Sequence, residues 1–392
     1  MRYASKLLAV TALIAPLASS PSAVAATFAV GPATVVRPAQ TGRAAEIHCR
    51  PRSPIVYAGA TGRIDGQQTL TPISTVTGKA GHRIKAGPSR GPIAITPNGA
   101  TAYVANRYSD TVTPIAVCAA KELKPIKVGE GPDAIVITPN GATAYVASYD
   151  SGTVTPINLA DDVALKPIKV GPFPWAMAIT PNGLTLYVAS RTAATITPVN
   201  TSTDRPGAPI KVGPGPDVIV ISPNGKSAYV ADSFGATVTV FDTVTNVVTR
   251  SIKVDAGPNA IAVTPDGAVA YVTSRDLSTV TPIDTATGRT GRPIKVGPDP
   301  RFVLITSGGA MAFVSSHLTA SYVTPIDLHT NAALPRIHIR GSAEHFVLAP
   351  DGHTAYLVSL HPGTVTPINT ATAEVGRRIS VHGAPAYIAI TP

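Results

Sequence analysis

Two columns of chemically mixed residues recur at fixed places in this chain, and any function has to be sought among them first. One column holds Gly91, Asp133, Trp175, Asp217, Asn259, Arg301, Glu344 and Ala386; the other holds Arg107, Tyr149, Arg191, Ser233, Arg275, His317 and Leu360. Carboxylate, amide and imidazole groups serve acid–base chemistry, and guanidinium groups favour carboxylate or phosphate partners. A ring of Asp, Trp, Asp, Asn, Arg and Glu has the mixed character of a binding site, although solvated loops vary in the same way. Arg107, Arg191 and Arg275 fall 84 residues apart. Duplication of a two-repeat unit explains that interval more simply than three guanidiniums closing on one small molecule, because alternate repeats stand far apart.

Aromatic residues lean to one side of the chain. Tyr108, Tyr149, Phe173, Trp175 and Phe234 fall in neighbouring connections, and Trp175 is the single tryptophan. Such rings stack on sugars or contact a protein; rings that cap a core between repeats have the same pattern. Histidines lean the other way, seven of nine lying from His317 onward. His317, His345, His361 and His382 accompany Glu344, a donor set suited to zinc or copper. His317, His345 and His361 are therefore the candidate transition-metal ligands, though His382 should lie outermost and His345 innermost, which works against convergence. No other cofactor is expected.

A nucleophile–base constellation is not legible: there is no GxSxG elbow, no HExxH and no phosphate-cradling glycine loop. WD, kelch and quinone-docking signatures are missing too, as are CxxC and CxxCH. The expectation is a non-catalytic binding or cell-envelope scaffold whose partner is an envelope polymer, a protein or a small molecule. The alternative is a lactone or ester hydrolase or lyase using Asp133, Asp217, Asn259, Glu344 and His345.

What positions these columns is a repeat. An aromatic residue recurs at an interval of 42 residues at Tyr103, Tyr145, Tyr187, Tyr229, Tyr271 and Phe313, with Tyr356 and Tyr57 extending the series. Around each lie four short apolar segments. Strand a, such as Ala134 to Thr138, ends in a turn of the Pro139-Asn140-Gly141 kind, whose Gly accepts a positive φ. Strand b contains the aromatic residue, strand c reads Thr-Val-Thr-Pro-Ile, and strand d reads Pro-Ile-Lys-Val. Four strands per repeat without a helical period predict an all-β propeller. The first repeat opens at strand b near Tyr57, and the chain ends in a lone strand a at Ala386 to Thr391. The C-terminal strand is therefore expected to complete blade one, giving eight blades, with seven as the alternative count. In that architecture the d–a and b–c connections share one face, the mouth of the channel, and both columns belong to it.

The formal charge of +10 invites a nucleic-acid reading. Lys85, Lys127, Lys169, Lys211, Lys253 and Lys295 explain it better. They occupy one position of the outermost strand, where lysine protects an exposed edge, and a charge spread round a rim argues against nucleic acid as a partner. Proline inside strand c (Pro72, Pro114, Pro156, Pro198, Pro282, Pro325, Pro367) conflicts with an interior strand, unless its missing N–H points at strand d.

Arg2 and Lys6, the apolar run Leu7 to Ala18 and the Ala23-Val24-Ala25 motif read as a signal peptide over residues 1–25. An extension over 26–53 and a propeller over 54–392 follow. No apolar stretch is long enough to span a bilayer, so the expected protein is secreted or cell-wall associated and monomeric. Its two cysteines, Cys49 and Cys118, are then expected to form a disulfide pinning the extension to the ring.

The segments Ser222-Pro223-Asn224-Gly225, Tyr229-Val230-Ala231-Asp232 and Thr237 to Asp242, continuing through Ile252-Lys253-Val254 to Asp266-Gly267, resemble the YVTN-type propeller repeat of exported surface-layer and related proteins. The resemblance covers about residues 54–392 and departs at the Thr-Pro of strand c. It implies a propeller fold and an exported protein, and it brings no catalytic set.

Overall fold

The computed structural model describes residues 53–61, 67–88, 91–317 and 321–392. The expected signal segment, nearly all of the extension and Cys49 lie outside the described residues. Cys118 lies in the exposed turn after strand c of blade 2. Eight antiparallel sheets form an eight-bladed all-β propeller. Among the described residues there is no helix, hence none able to cross a membrane.

Strand b identifies each blade: Ile55–Thr61, Thr101–Asn106, Thr143–Ser148, Thr185–Ser190, Ser227–Asp232, Val269–Ser274, Met311–Ser316 and Thr354–Ser359, for blades 1 to 8. Blade 3 shows the pattern, with strand a at Pro132–Ile137, strand c at Thr153–Asn158 and an outer strand d in two pieces, Val163–Ala164 and Ile168–Lys169. Blade 1 is closed by the C-terminal strand Ala384–Ile390, which pairs Tyr57 with Ala389 and Ala58 with Ile388. Each innermost strand also touches the next around the whole circle. The expected eight blades and their terminal closure are both present, and seven is set aside.

A four-stranded blade cannot hide its faces alone, and the core shows how the ring solves this. Eight apolar clusters sit between successive blades, one at each boundary. The repeated tyrosine contributes to them and also latches across the boundary. Tyr103 donates to Asp162 Oδ1 at 2.7 Å, Tyr145 to Asp204 Oδ1 at 2.8 Å, Tyr187 to Asn246 Oδ1 at 2.8 Å and Tyr271 to Asn331 Oδ1 at 2.7 Å. These acceptors sit in the c–d turn of the following blade with φ between 53° and 59°, a conformation Asp and Asn tolerate better than most residues. The one phenylalanine of the series, Phe313, reaches a boundary whose turn residue is Ala373, where no acceptor is needed.

The prolines of strand c leave the b–c ladder intact, Tyr145 facing Pro156 and Tyr187 facing Pro198 in unbroken register. Their carbonyls accept from the outer side, Pro156 from Leu165 N at 2.8 Å and Pro198 from Gly207 N at 2.7 Å. A residue in an extended strand turns its N–H and C=O the same way, so the missing N–H faces strand d. The expense falls there: blades 2, 3, 4 and 7 have strand d in two pieces. Blade 5 has Val240 at this position, and its strand d runs continuously from Val248 to Lys253.

Candidate functional site

Pro132, opening strand a, pairs with Ser148, closing strand b. The d–a and b–c connections therefore emerge together, and both columns lie on one face as expected. The two columns meet each other. A residue just after strand b reaches the residue opening strand a of the next blade, 26 positions on.

Arg107 hydrogen-bonds Asp133 and lies 3.6 Å from Asp150. Arg191 Nε stands 2.6 Å from Asp217 Oδ1, and its Nη2 reaches Oδ2 at 3.4 Å. The Asp217 side chain is 2% exposed. Burial raises the Asp133 carboxyl above the ordinary range, while the Arg107 charge pulls it back. The alternate arginines thus answer alternate aspartates in the neighbouring blade. That matched 84-residue spacing was present in the sequence and is the signal that would have paired them.

Rings join these ion pairs into a ladder. The Arg107 guanidinium lies over Tyr149 at 5.0 Å, and Tyr149 meets Trp175 edge-on at 5.8 Å and Phe173 at 4.9 Å. Arg191 lies over both Trp175, at 5.2 Å, and Phe234, at 5.0 Å. The ladder runs without a break from blade 2 to blade 5. Its outer members face solvent, Phe173 being 39% and Phe234 67% exposed, and Tyr108, next in sequence to Arg107, is 82% exposed. The Trp175 indole nitrogen is buried without a hydrogen-bond partner.

Phe173 is held at φ 51°, where the equivalent loops of blades 3, 5 and 6 have Gly131, Gly215 and Gly257 in the same left-handed region. A bulky residue there is strained by about 1–3 kcal/mol. Below Phe234, Asp232 closes strand b where most blades have Ser. Its Oδ2 accepts from Thr237 at 2.9 Å and Thr239 at 2.6 Å, and Oδ1 is buried without a partner. Burial pushes its pKa up to about 6 against these hydrogen bonds. Asp232 belongs to neither column, although a lone Asp where most blades have Ser marks it in the sequence.

Of the remaining candidates only His317 and Glu344 meet. Asn259 donates to Pro300 O at 2.9 Å and accepts from Thr273 at 2.8 Å, joining the inner strands of blades 6 and 7. Arg275 and Arg301, which occupy facing positions, lean instead on Asp276 at 3.3 Å and Asp299 at 2.9 Å. His317 Nδ1 lies 3.1 Å from Glu344 Oε1. His345 is buried between Phe302 and Tyr387, with Nδ1 2.8 Å from Ala386 O. A carbonyl only accepts, so Nδ1 holds the proton, and burial lowers the imidazole pKa despite the nearby Glu344. His361 and His382 are exposed. Of the proposed metal set, only His317 meets a carboxylate, and among the described residues no three His, Cys, Asp or Glu gather as metal ligands.

Comparison with known proteins agrees with this architecture. A family described as YNCE-like beta-propeller matches residues 123–311, and one described as lactonase, 7-bladed beta-propeller, matches residues 53–170. No curated protein matches the chain significantly. Among solved structures, Kuenenia stuttgartiensis hydrazine synthase is similar at 23% identity and a TM-score of 0.59, over 72% of this chain and 95% of that one. Dihydro-heme d1 dehydrogenase NirN in complex with DHE is similar at 16% identity and a TM-score of 0.73, over 88% of this chain and 75% of that one. At such identities the likeness concerns the fold alone. Sequence families and structure agree on one statement, that the chain is a β-propeller.

Proposed function

We propose that the protein is an exported binding propeller that docks a cell-envelope polymer on the aromatic arc of its mouth, across blades 2 to 5. The observation that carries this is Phe173, a bulky ring kept in a left-handed conformation where neighbouring blades use glycine. Strain of that kind persists where something other than stability retains it. The exposed rings beside it offer faces for sugar stacking. The Arg107 and Arg191 charges are already answered by Asp133 and Asp217, which suits a largely neutral ligand. The YVTN-type turn and strand residues between Ser222 and Gly267 and the signal-like N-terminus support export. A Cys49–Cys118 disulfide and a monomeric state belong to the same reading.

Trp175, as the single tryptophan, reports on this arc. Titration with soluble envelope polysaccharide fragments is expected to shift its emission, and Phe173→Gly and Phe234→Ala are expected to abolish the shift. An unchanged spectrum, or equal retention of both variants on envelope material, rejects the reading.

The match of residues 53–170 to a lactonase family favours a second reading, hydrolysis or lyase cleavage of a lactone or ester. Asp133, Asp217, Asn259, Glu344 and His345 are its candidates. Each already has a partner within its own boundary, and they do not form one proton-transfer constellation. Turnover of a lactone panel that falls on substitution of Glu344 or His345 would favour this reading over the first.

A further inference from the structure

Beyond the edge lysine that blade 5 shares with five other blades, the outer strand is protected against strand addition at a second position everywhere except at blade 5. Val254 N–H donates to Ala236 O at 3.0 Å. Alternate residues of an antiparallel strand turn their backbone groups to opposite sides. Ile252 and Val254 therefore turn inward to strand c, while Ser251 and Lys253 present N–H and C=O groups outward. The register of the other blades fixes the residue equivalent to Ser251. It is proline in four of them, Pro125, Pro167, Pro209 and Pro293. In the other three it is Arg83, Arg336 and Arg378. Proline deletes the outward donor and arginine adds a charge, both common protections of an edge. Only blade 5 combines an uninterrupted outer strand, Val248–Lys253, with an uncharged residue that keeps its donor.

Beside this edge runs an open groove of about 610 Å³ between strand d of blade 5 and the c–d turn of blade 6. Arg250, Lys253 and Arg289 line it, and no carboxylate does. Arg250 is fixed over the turn by bonds to Thr285 O at 3.1 Å and Ala286 O at 2.7 Å. Val248 at the start of the same strand, and Val244 and Val247 in the turn before it, are exposed.

We propose that the outer strand of blade 5 is a docking edge for an extended acidic segment of another protein, which adds as a further antiparallel or parallel strand. Backbone groups of Ser251 and Lys253 hold its main chain, the three cations its carboxylates, and the exposed valines its apolar side chains. A second copy of this chain fits poorly, because edge-to-edge pairing would bring Arg250, Lys253 and Arg289 against their own images. Extension residues 26–52 contain Arg37, Arg43, Arg50 and Arg52 against a single Glu46, so they lack the required charge.

Fluorescence anisotropy of an end-labelled peptide alternating Glu with Val, and of its Lys-for-Glu counterpart, tests this on the full chain. The Glu peptide is expected to bind and the Lys peptide not. Ser251→Pro, which installs the residue neighbouring blades already fold with, is expected to weaken binding roughly ten-fold. Lys253→Glu, at an exposed side chain, is expected to weaken it similarly without touching the backbone. Amide exchange at Ser251 and Lys253 should slow when the Glu peptide is bound. Equal binding of the two peptides, or binding unchanged by Ser251→Pro, overturns the proposal. So does a wild-type dimer that Ser251→Pro dissolves, since the occupant would then be a second copy.

Discussion

The two halves of the mouth treat their rings in opposite ways. Across blades 2 to 5 the rings are exposed or half-buried and are braced by cations, as where Arg191 lies over both Phe234 and Trp175. Across blades 7, 8 and 1 the rings of Phe302, His345 and Phe346 are buried, and a neutral imidazole fills the space between blades. The boundaries beneath differ as well. Those of blades 2–3 and 4–5 are tied on both faces, by Arg107–Asp133 with Tyr103–Asp162 and by Arg191–Asp217 with Tyr187–Asn246. The boundary of blades 7–8 has Phe313 and Ala373 in place of such a latch. Exposed rings need a stiff support to stay presented, and two of the three boundaries beneath them have both an Arg–Asp pair and a tyrosine latch.

The largest effect should come from cutting a clamp. Arg191→Ala leaves the Asp217 carboxylate, 2% exposed, without its counter-charge. Removal of one partner from a buried pair costs about 3–5 kcal/mol, and the lower end applies because the Arg191 side chain is 18% exposed. Arg301→Ala on the other half, a pair at the surface of one loop, should cost about 1 kcal/mol or less. Urea unfolding midpoints of the two variants compare the halves directly, and equal shifts would erase the distinction.

The two halves should also answer pH in opposite directions. Asp232 has a pKa raised to about 6 in the fold, against about 3.9 in an unfolded chain. The folded state binds the extra proton between these values, so stability falls as pH rises from about 4 through 6, by about 3 kcal/mol in all. Asp232→Asn, which places in blade 5 the residue that blade 2 has at Asn106, should flatten that limb and raise the midpoint at pH 7. His345 has its pKa lowered by burial. Its contribution is complete above the ordinary imidazole pKa and is lost as pH falls below it. His345→Asn, whose amide can still donate to Ala386 O, should remove the acid-side loss only. Thermal melts across this range check both limbs.

Much of the ring was legible because periodicity reports burial. The 42-residue interval places an aromatic residue in every strand b and a proline in every strand c but that of blade 5, and the lone terminal strand announces how the ring shuts. The columns were legible as positions but not as partners, because contact across a boundary joins residues of different repeats. Only Arg107 and Arg191 read against Asp133 and Asp217 reveal it. The histidines were expected at different radial positions, His345 innermost and His382 outermost, and they do stand apart; the meeting of His317 with Glu344 was not legible, since it too crosses a boundary between repeats. The broken outer strands were hidden too, since a proline acts on the strand beside it. Val240 is the internal control, its blade having the one continuous six-residue outer strand among the described residues.

A smaller effect concerns the strained ring itself. Phe173→Gly should stabilise the fold by about 1 kcal/mol by releasing the left-handed strain, while it removes the exposed face next to Tyr149. Higher thermal stability together with lost polymer binding is the expected signature. A destabilised Phe173→Gly would mean the ring is retained for packing, and the two halves would then differ only in charge.

The smallest effect tests whether clamping can be transferred. In blades 2 to 4 the tyrosine hydroxyl finds an Asx oxygen in the next blade's turn, and at blades 7–8 both partners are missing together. Phe313→Tyr alone should be neutral or slightly destabilising, because its hydroxyl arrives beside the Ala373 methyl. Ala373→Asp alone gains nothing, although its φ of 60° suits aspartate. The double variant should recover the latch and exceed the sum of the singles by about 1 kcal/mol, the net worth of a hydrogen bond partly removed from water. A cycle that closes without coupling would show that the tyrosines serve the core by shape alone, and that the stiffness of the docking half rests on its arginines.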